Sequence, residues 1–76
     1  MSNINIEYLR ENCFEECNDG IDGQITHDDG YMNIGIGSIR YVFDIGQGIS
    51  NSEYNLQCNK ILRESGINKI VSISNY

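Results

Sequence analysis

The chain reads as a small α+β domain: an antiparallel or mixed sheet of three to four strands with two helices on one face, in the order α-β-β-β-α-β. Three observations predict this. Apolar residues recur at helical spacing in an early and a late stretch, strict alternation fills the middle, and glycine-containing turn sequences separate the runs. Strands bracketed by helices with a single apolar face form the α+β pattern. The 76 residues make one domain, and a chain of that size buries only ~60% of the surface its unfolded form exposes.

The first helix is predicted over residues 4–18. Ile6, Leu9, Cys13 and Cys17, with Phe14 beside them, give one apolar face. Asn3 or Asn5 caps its start and Gly20 ends it. Asn18-Asp19-Gly20 and Asp22-Gly23 are turn sequences. Gln24-Ile25-Thr26 reads as a short edge strand, followed by a turn at Asp28-Asp29-Gly30. Residues 31–36 and 39–45 read as a β-hairpin. Met32, Ile34 and Ile36 alternate with Tyr31, Asn33 and Gly35, and Ile39, Tyr41, Phe43 and Ile45 alternate with Arg40, Val42 and Asp44. Gly37-Ser38 fits a type II′ turn, which needs positive φ at its first central residue.

The second helix opens on a capping box, with Ser50 at the cap and Glu53 three residues on, and Ile49 and Tyr54 as its hydrophobic staple. Tyr54, Cys58, Ile61, Leu62 and Ser65 line its apolar face, and Gly66 supplies a left-handed stop. Residues 69–74, with Ile70, Val71 and Ile73, are predicted to close the sheet as a last strand.

Charge along the chain is segregated. Glu7, Glu11, Glu15, Glu16, Asp19, Asp22, Asp28 and Asp29 share the first thirty residues with Arg10 alone, a formal −7. Residues 31–76 set Asp44, Glu53 and Glu64 against Arg40, Lys60, Arg63 and Lys69, a formal +1, and the total is −6. On a helix over 4–18, Glu7, Glu11 and Glu15 stack at i, i+4, i+8, with Asp19 continuing the row. Such like-charge pairs cost roughly 0.2–0.5 kcal/mol each. The helix macrodipole offsets this at Glu7 but not at Glu15 and Glu16. A solvated face is the bland reading of this row; a surface for a basic partner is the functional one.

Several motifs fall short of their chemistry. Residues 18–29 resemble an EF-hand loop around Asp22, Gly23 and Ile25. However, Asn18 and Gly20 stand where acidic ligands belong, Asp29 stands in place of the closing Glu, and a strand follows instead of a helix. Cys13, Cys17 and Cys58 with His27 could make up a Cys₃His zinc set, but their spacing on helices is that of core filling. Gly46-Gln47-Gly48 lies between a strand and a helix, yet lacks the rest of a phosphate loop. No pair of titratable groups points to catalysis, so no enzyme activity and no cofactor are expected. Direct nucleic-acid binding would need clusters of Lys and Arg that the chain lacks. No stretch approaches the ~20 apolar residues of a membrane span. The segment Met1-Ser2-Asn3-Ile4-Asn5 has neither the basic start nor the apolar run of a signal peptide, so cytoplasmic residence is expected. The Asn- and Ile-rich, Ala-poor composition is that of an AT-rich genome, a low-GC bacterium or its phage.

What remains is protein binding. Glu7, Tyr8, Glu11, Glu15, Glu16, Asp19, Asp22, Asp28 and Asp29 form the candidate surface, with Tyr8, Tyr31 and Tyr76 as exposed aromatic residues of the type that anchors interfaces. The expected partner is a basic nucleic-acid-binding protein or nuclease whose groove the acidic surface fills. In size and charge, though not in sequence, the chain is similar to phage-encoded inhibitors of host defence nucleases, the anti-CRISPR kind. Immunity proteins and antitoxins that neutralise nuclease toxins share the same traits. A Ca²⁺- or Zn²⁺-binding regulatory module and a self-associating homo-oligomer that uses an exposed strand edge are the alternatives from other classes.

Overall fold

A computed structural model describes residues 3–74. The elements are α1 (Ile6–Asn12), β1 (Glu15–Cys17), β2 (Ile25–Asp28), β3 (Tyr31–Ile36), β4 (Ile39–Asp44) and α2 (Asn51–Glu64). The four strands form one antiparallel sheet in the order β1-β4-β3-β2. The α+β class holds. The element order is α-β-β-β-β-α, which differs from the expected one at two places.

The first difference lies at residues 13–17. Asn5 does cap α1, its side chain accepting the Tyr8 N–H at 3.0 Å. The helix then stops at Asn12, where Cys13 turns extended (φ −76°, ψ 156°). The Phe14 N–H instead reaches the Val42 carbonyl at 2.6 Å, and Glu15, Glu16 and Cys17 pair with Val42, Tyr41 and Arg40. Two costs favour this outcome. A longer helix would stack Glu11 and Glu15, and it would leave the β4 backbone as an unpaired edge. Consequently Cys13 and Cys17 are not one helical turn apart, and the Glu7-Glu11-Glu15-Asp19 row is broken after Glu11.

The second difference is the C-terminal segment. Residues 67–74 form no strand and join no sheet. Two asparagines of α2 hold them instead. Asn59 accepts the Val71 N–H at 2.8 Å and donates to the Val71 carbonyl at 3.0 Å; Asn55 does the same for Ile73, at 3.0 Å in both bonds. Side chains four apart on a helix lie one above the other. Alternate residues of an extended chain direct their backbone groups to one side. The two periodicities therefore mesh. Period-two apolar patterning alone reads as a strand because it cannot distinguish a side-chain partner from a main-chain one.

Both turns of the meander follow the residues that build them. Asp28 pairs with Tyr31 across Asp29-Gly30, whose φ values of 53° and 89° make a type I′ turn. Ile36 pairs with Ile39 across Gly37-Ser38, where only Gly37 has positive φ, as in type II′. α2 starts with the Ser50 hydroxyl accepting the Glu53 N–H at 3.1 Å. The Glu53 carboxylate accepts from Gln57 at 2.9 Å, so only the Ser50 half of the capping box forms. At the other end, Ile67 N–H to Leu62 O and Gly66 N–H to Arg63 O complete a Schellman cap around the left-handed Gly66.

One sheet face carries the core. Met32, Ile34, Tyr41 and Phe43 are buried together with Leu9 from α1, Tyr54, Cys58 and Leu62 from α2, and Val71 from the C-terminal segment. Both helices thus lie on one face. Among the described residues no helix is long and apolar enough to cross a membrane.

Candidate interaction surface on the second sheet face

The opposite sheet face bears no helix. Strand register sorts its residues into rows that run across the sheet: Glu15, Val42, Asn33 and Thr26; Asp44, Tyr31 and Asp28; Cys17, Arg40 and Gly35. The floor of this face, Val42, Asn33 and Gly35, is buried. Its cover comes from the chain's own side chains and from the 18–24 connection.

That connection links the two edge strands, so it must cross the sheet. It is fixed by Gly20 N–H to Ser38 O, Gly23 N–H to Gly35 O and Gly35 N–H to Gln24 O, all at 2.8–2.9 Å. The crossing is so close that a Cβ on Gly35 would overlap the Ile21 carbonyl. Asp22 accepts the Gly37 N–H at 2.7 Å, which ties the crossing to the β3–β4 turn.

Arg40 occupies the middle of the face. Its guanidinium forks onto Asp19 at 2.9 and 3.3 Å and reaches Asn33 Oδ1 at 2.7 Å. The Arg40 guanidinium beside Asp19 holds that carboxyl below the usual carboxylate range. This is the one ion pair among the described residues. Glu15, Asp28 and Asp44 share the face and have no cation of their own.

Next to Arg40 the Phe14 and Tyr31 rings pack 5.9 Å apart, inclined by 51°. Phe14 is 61% exposed, an unusual state for a phenylalanine on a small domain. Ile21, in the crossing segment, is 62% exposed. A cavity of about 330 Å³ opens among Phe14, Glu15, Asp28, Tyr31, Asn33 and Val42, with Cys17 and Arg40 at its remaining wall.

The nine acidic-surface candidates therefore divide. Glu15 and Asp28 meet on this face. Asp19 and Asp22 are engaged inside the fold, by Arg40 and by the Gly37 amide. Glu7 and Glu11 are exposed on α1 with the half-buried Tyr8 between them. Glu16 pairs opposite Tyr41 and so lies on the other side of β1. Asp29 sits in the type I′ turn. Tyr31 is half-buried, and Tyr76 lies outside the described residues. Phe14 and Asp44 were not among the candidates. For Asp44 the signal was present, because the alternation had already placed it with Tyr31 off the core face.

The cysteines and the histidine are separated from one another. Cys58 is buried, and burial pushes its thiol pKa up; Cys13 is raised by burial and then by Glu16. The Cys17 thiol donates to Glu15 at 3.3 Å, and that carboxylate raises it. Thiols shifted upward are poor nucleophiles and poor metal ligands at neutral pH. Among the described residues no three His, Cys, Asp or Glu side chains are placed to hold a metal ion. Residues 18–29 form the crossing and β2 and do not coil around a centre. His27 projects from β2 onto the helix side, where Nδ1 meets the Tyr54 hydroxyl at 2.7 Å and that hydroxyl donates to the Tyr31 carbonyl at 3.2 Å. Burial lowers the His27 pKa. Comparison with protein-family models, with curated proteins and with solved structures finds no match for this chain.

Proposed function

We propose that the protein is a small inhibitor that binds a basic partner protein and occludes its nucleic-acid-binding surface. The target class is a host defence nuclease complex, in the manner of phage-encoded anti-CRISPR proteins; the nuclease toxin of an immunity or antitoxin pair is the alternative target of the same chemistry. One observation carries the reading: Glu15, Asp28 and Asp44 stand without ion-pair partners around an exposed Phe14 that packs on the half-buried Tyr31. Unpaired charge around an aromatic anchor is how interfaces combine steering with affinity. A solubilising surface requires no exposed phenylalanine at its centre.

The test uses wild type and a Glu15→Gln/Asp28→Asn/Asp44→Asn variant as paired baits in host lysate, at low and moderate salt. Wild type is expected to capture a nuclease or nucleic-acid-binding protein, to suppress its activity, and to be displaced by excess duplex DNA or RNA. The variant is expected to lose capture, and salt to weaken it in wild type. Equal capture and equal suppression by both baits would refute the reading.

A further inference from the structure

We infer that the partner's anchor is an arginine side chain received in the cavity beside Phe14 and Tyr31. This rests on the docking reading above and adds the chemistry of the contact. Charge complementarity favours a cationic anchor over an anionic one. The cavity is walled by Glu15 and Asp28, Asp44 adjoins it in the Tyr31 row, and the one cation in its wall, Arg40, is already paired with Asp19.

Aromatic walls then distinguish between the two cations. A guanidinium is planar, weakly hydrated and forked; it stacks on a ring while its edge donates to carboxylates. An ammonium keeps its water and gains little from a ring at an exposed site. The Phe14 and Tyr31 rings, inclined by 51°, both line the cavity. The same face already seats one guanidinium, since Arg40 bonds Asp19 and Asn33 at once. A volume of about 330 Å³ accepts a second guanidinium with its stem.

The experiment titrates the isotope-labelled full chain with a nona-arginine and a nona-lysine peptide at matched ionic strength, following backbone amides by NMR. Nona-arginine is expected to bind roughly two- to five-fold more tightly, with the largest shifts at residues 14, 15, 28 and 31. Phe14→Leu, at an exposed position, is expected to bring the ratio close to one with the rest of the spectrum unchanged. Glu15→Gln is expected to weaken both peptides. Equal affinities in wild type would overturn the arginine anchor and leave the docking of a basic partner standing. An arginine preference that survives Phe14→Leu, or shifts centred on α1, would overturn the site. Failure of both peptides to bind would overturn the anchor and the docking reading together.

Discussion

Replacing Asn59 by alanine is expected to release the whole C-terminal segment, although within it the Asn59 side chain hydrogen-bonds Val71 alone. Its amide makes two bonds to that residue, one to the N–H at 2.8 Å and one to the carbonyl at 3.0 Å. At about 0.5–1.5 kcal/mol net per bond, the loss is roughly 1–3 kcal/mol. Little else compensates for it: beyond the helix cap, the other ties of the segment are the Asn55 clamp, the Lys69 ammonium on the Gly23 carbonyl and the partial burial of Ile67 and Ile73. Val71 is the one buried side chain of residues 67–74, worth about 1.5–3 kcal/mol, while Ile70 is 85% exposed. Ordering an extended segment costs about 1–2 kcal/mol per residue in backbone entropy, so its docking margin is thin and one clamp decides it. The two clamps should then be coupled. Asn55→Ala and Asn59→Ala should each expose both Val71 and Ile73, and the double variant should cost little more than either single one. Native-state hydrogen exchange provides the assay. In each single variant the Val71 and Ile73 amides should exchange roughly 5- to 150-fold faster, while the Met32 and Phe43 amides in the central strands slow or quicken only with global stability. If Asn59→Ala left Ile73 protected, the clamps would be independent and the thin-margin argument refuted. Unchanged exchange at both amides would refute the clamp itself.

Other expectations follow from the crossing segment and from His27. Gly35→Ala forces a Cβ into the Ile21 carbonyl; overpacking of this kind costs about 1–3 kcal/mol, and a urea melt should show at least that loss, whereas Gly37→Ala meets open space and should show only the cost of its turn. Burial depresses the His27 pKa below its unfolded value near 6.5. The unfolded chain therefore takes up the proton first, so stability is complete above about pH 6.5 and falls as pH drops toward the folded-state pKa. His27→Gln should flatten the thermal-melt profile in that window. An equal slope in the variant would assign the effect elsewhere.

The meander and α2 were legible in the sequence because their signals are local. Asp29-Gly30 and Gly37-Ser38 dictate their turns, Ser50 caps its helix, and Gly66 ends it. Residues 13–17 were not legible, because helical spacing of Cys13 and Cys17 is cancelled by a partner 27 positions away: Glu15 lies opposite Val42. Propensity yields to such tertiary pairing. The site was half legible. Acidity pointed to a charged surface, and alternation had separated Tyr31 and Asp44 from the core. But a helical reading of Phe14 assigned it to the core, and nothing local announces that Asp19 and Asp22 are used internally.

The crossing between β1 and β2 has a consequence for how the chain tolerates changes in length. Surface connections ordinarily accept inserted residues at small cost. Residues 18–24 should not, since both ends of the crossing are bonded to the β3–β4 hairpin and its middle rests on a glycine. Slack introduced there would lift the strap off the face it covers and free Arg40 from Asp19. The Gln47–Gly48 bend is tied to the β2–β3 turn, by the Ile45 and Gly46 amides on the Gly30 carbonyl and by the Gln47 side chain on the Asp29 carbonyl; Gly48 itself meets open space and is the place where an epitope or a fluorophore can be added with the second sheet face left as it is.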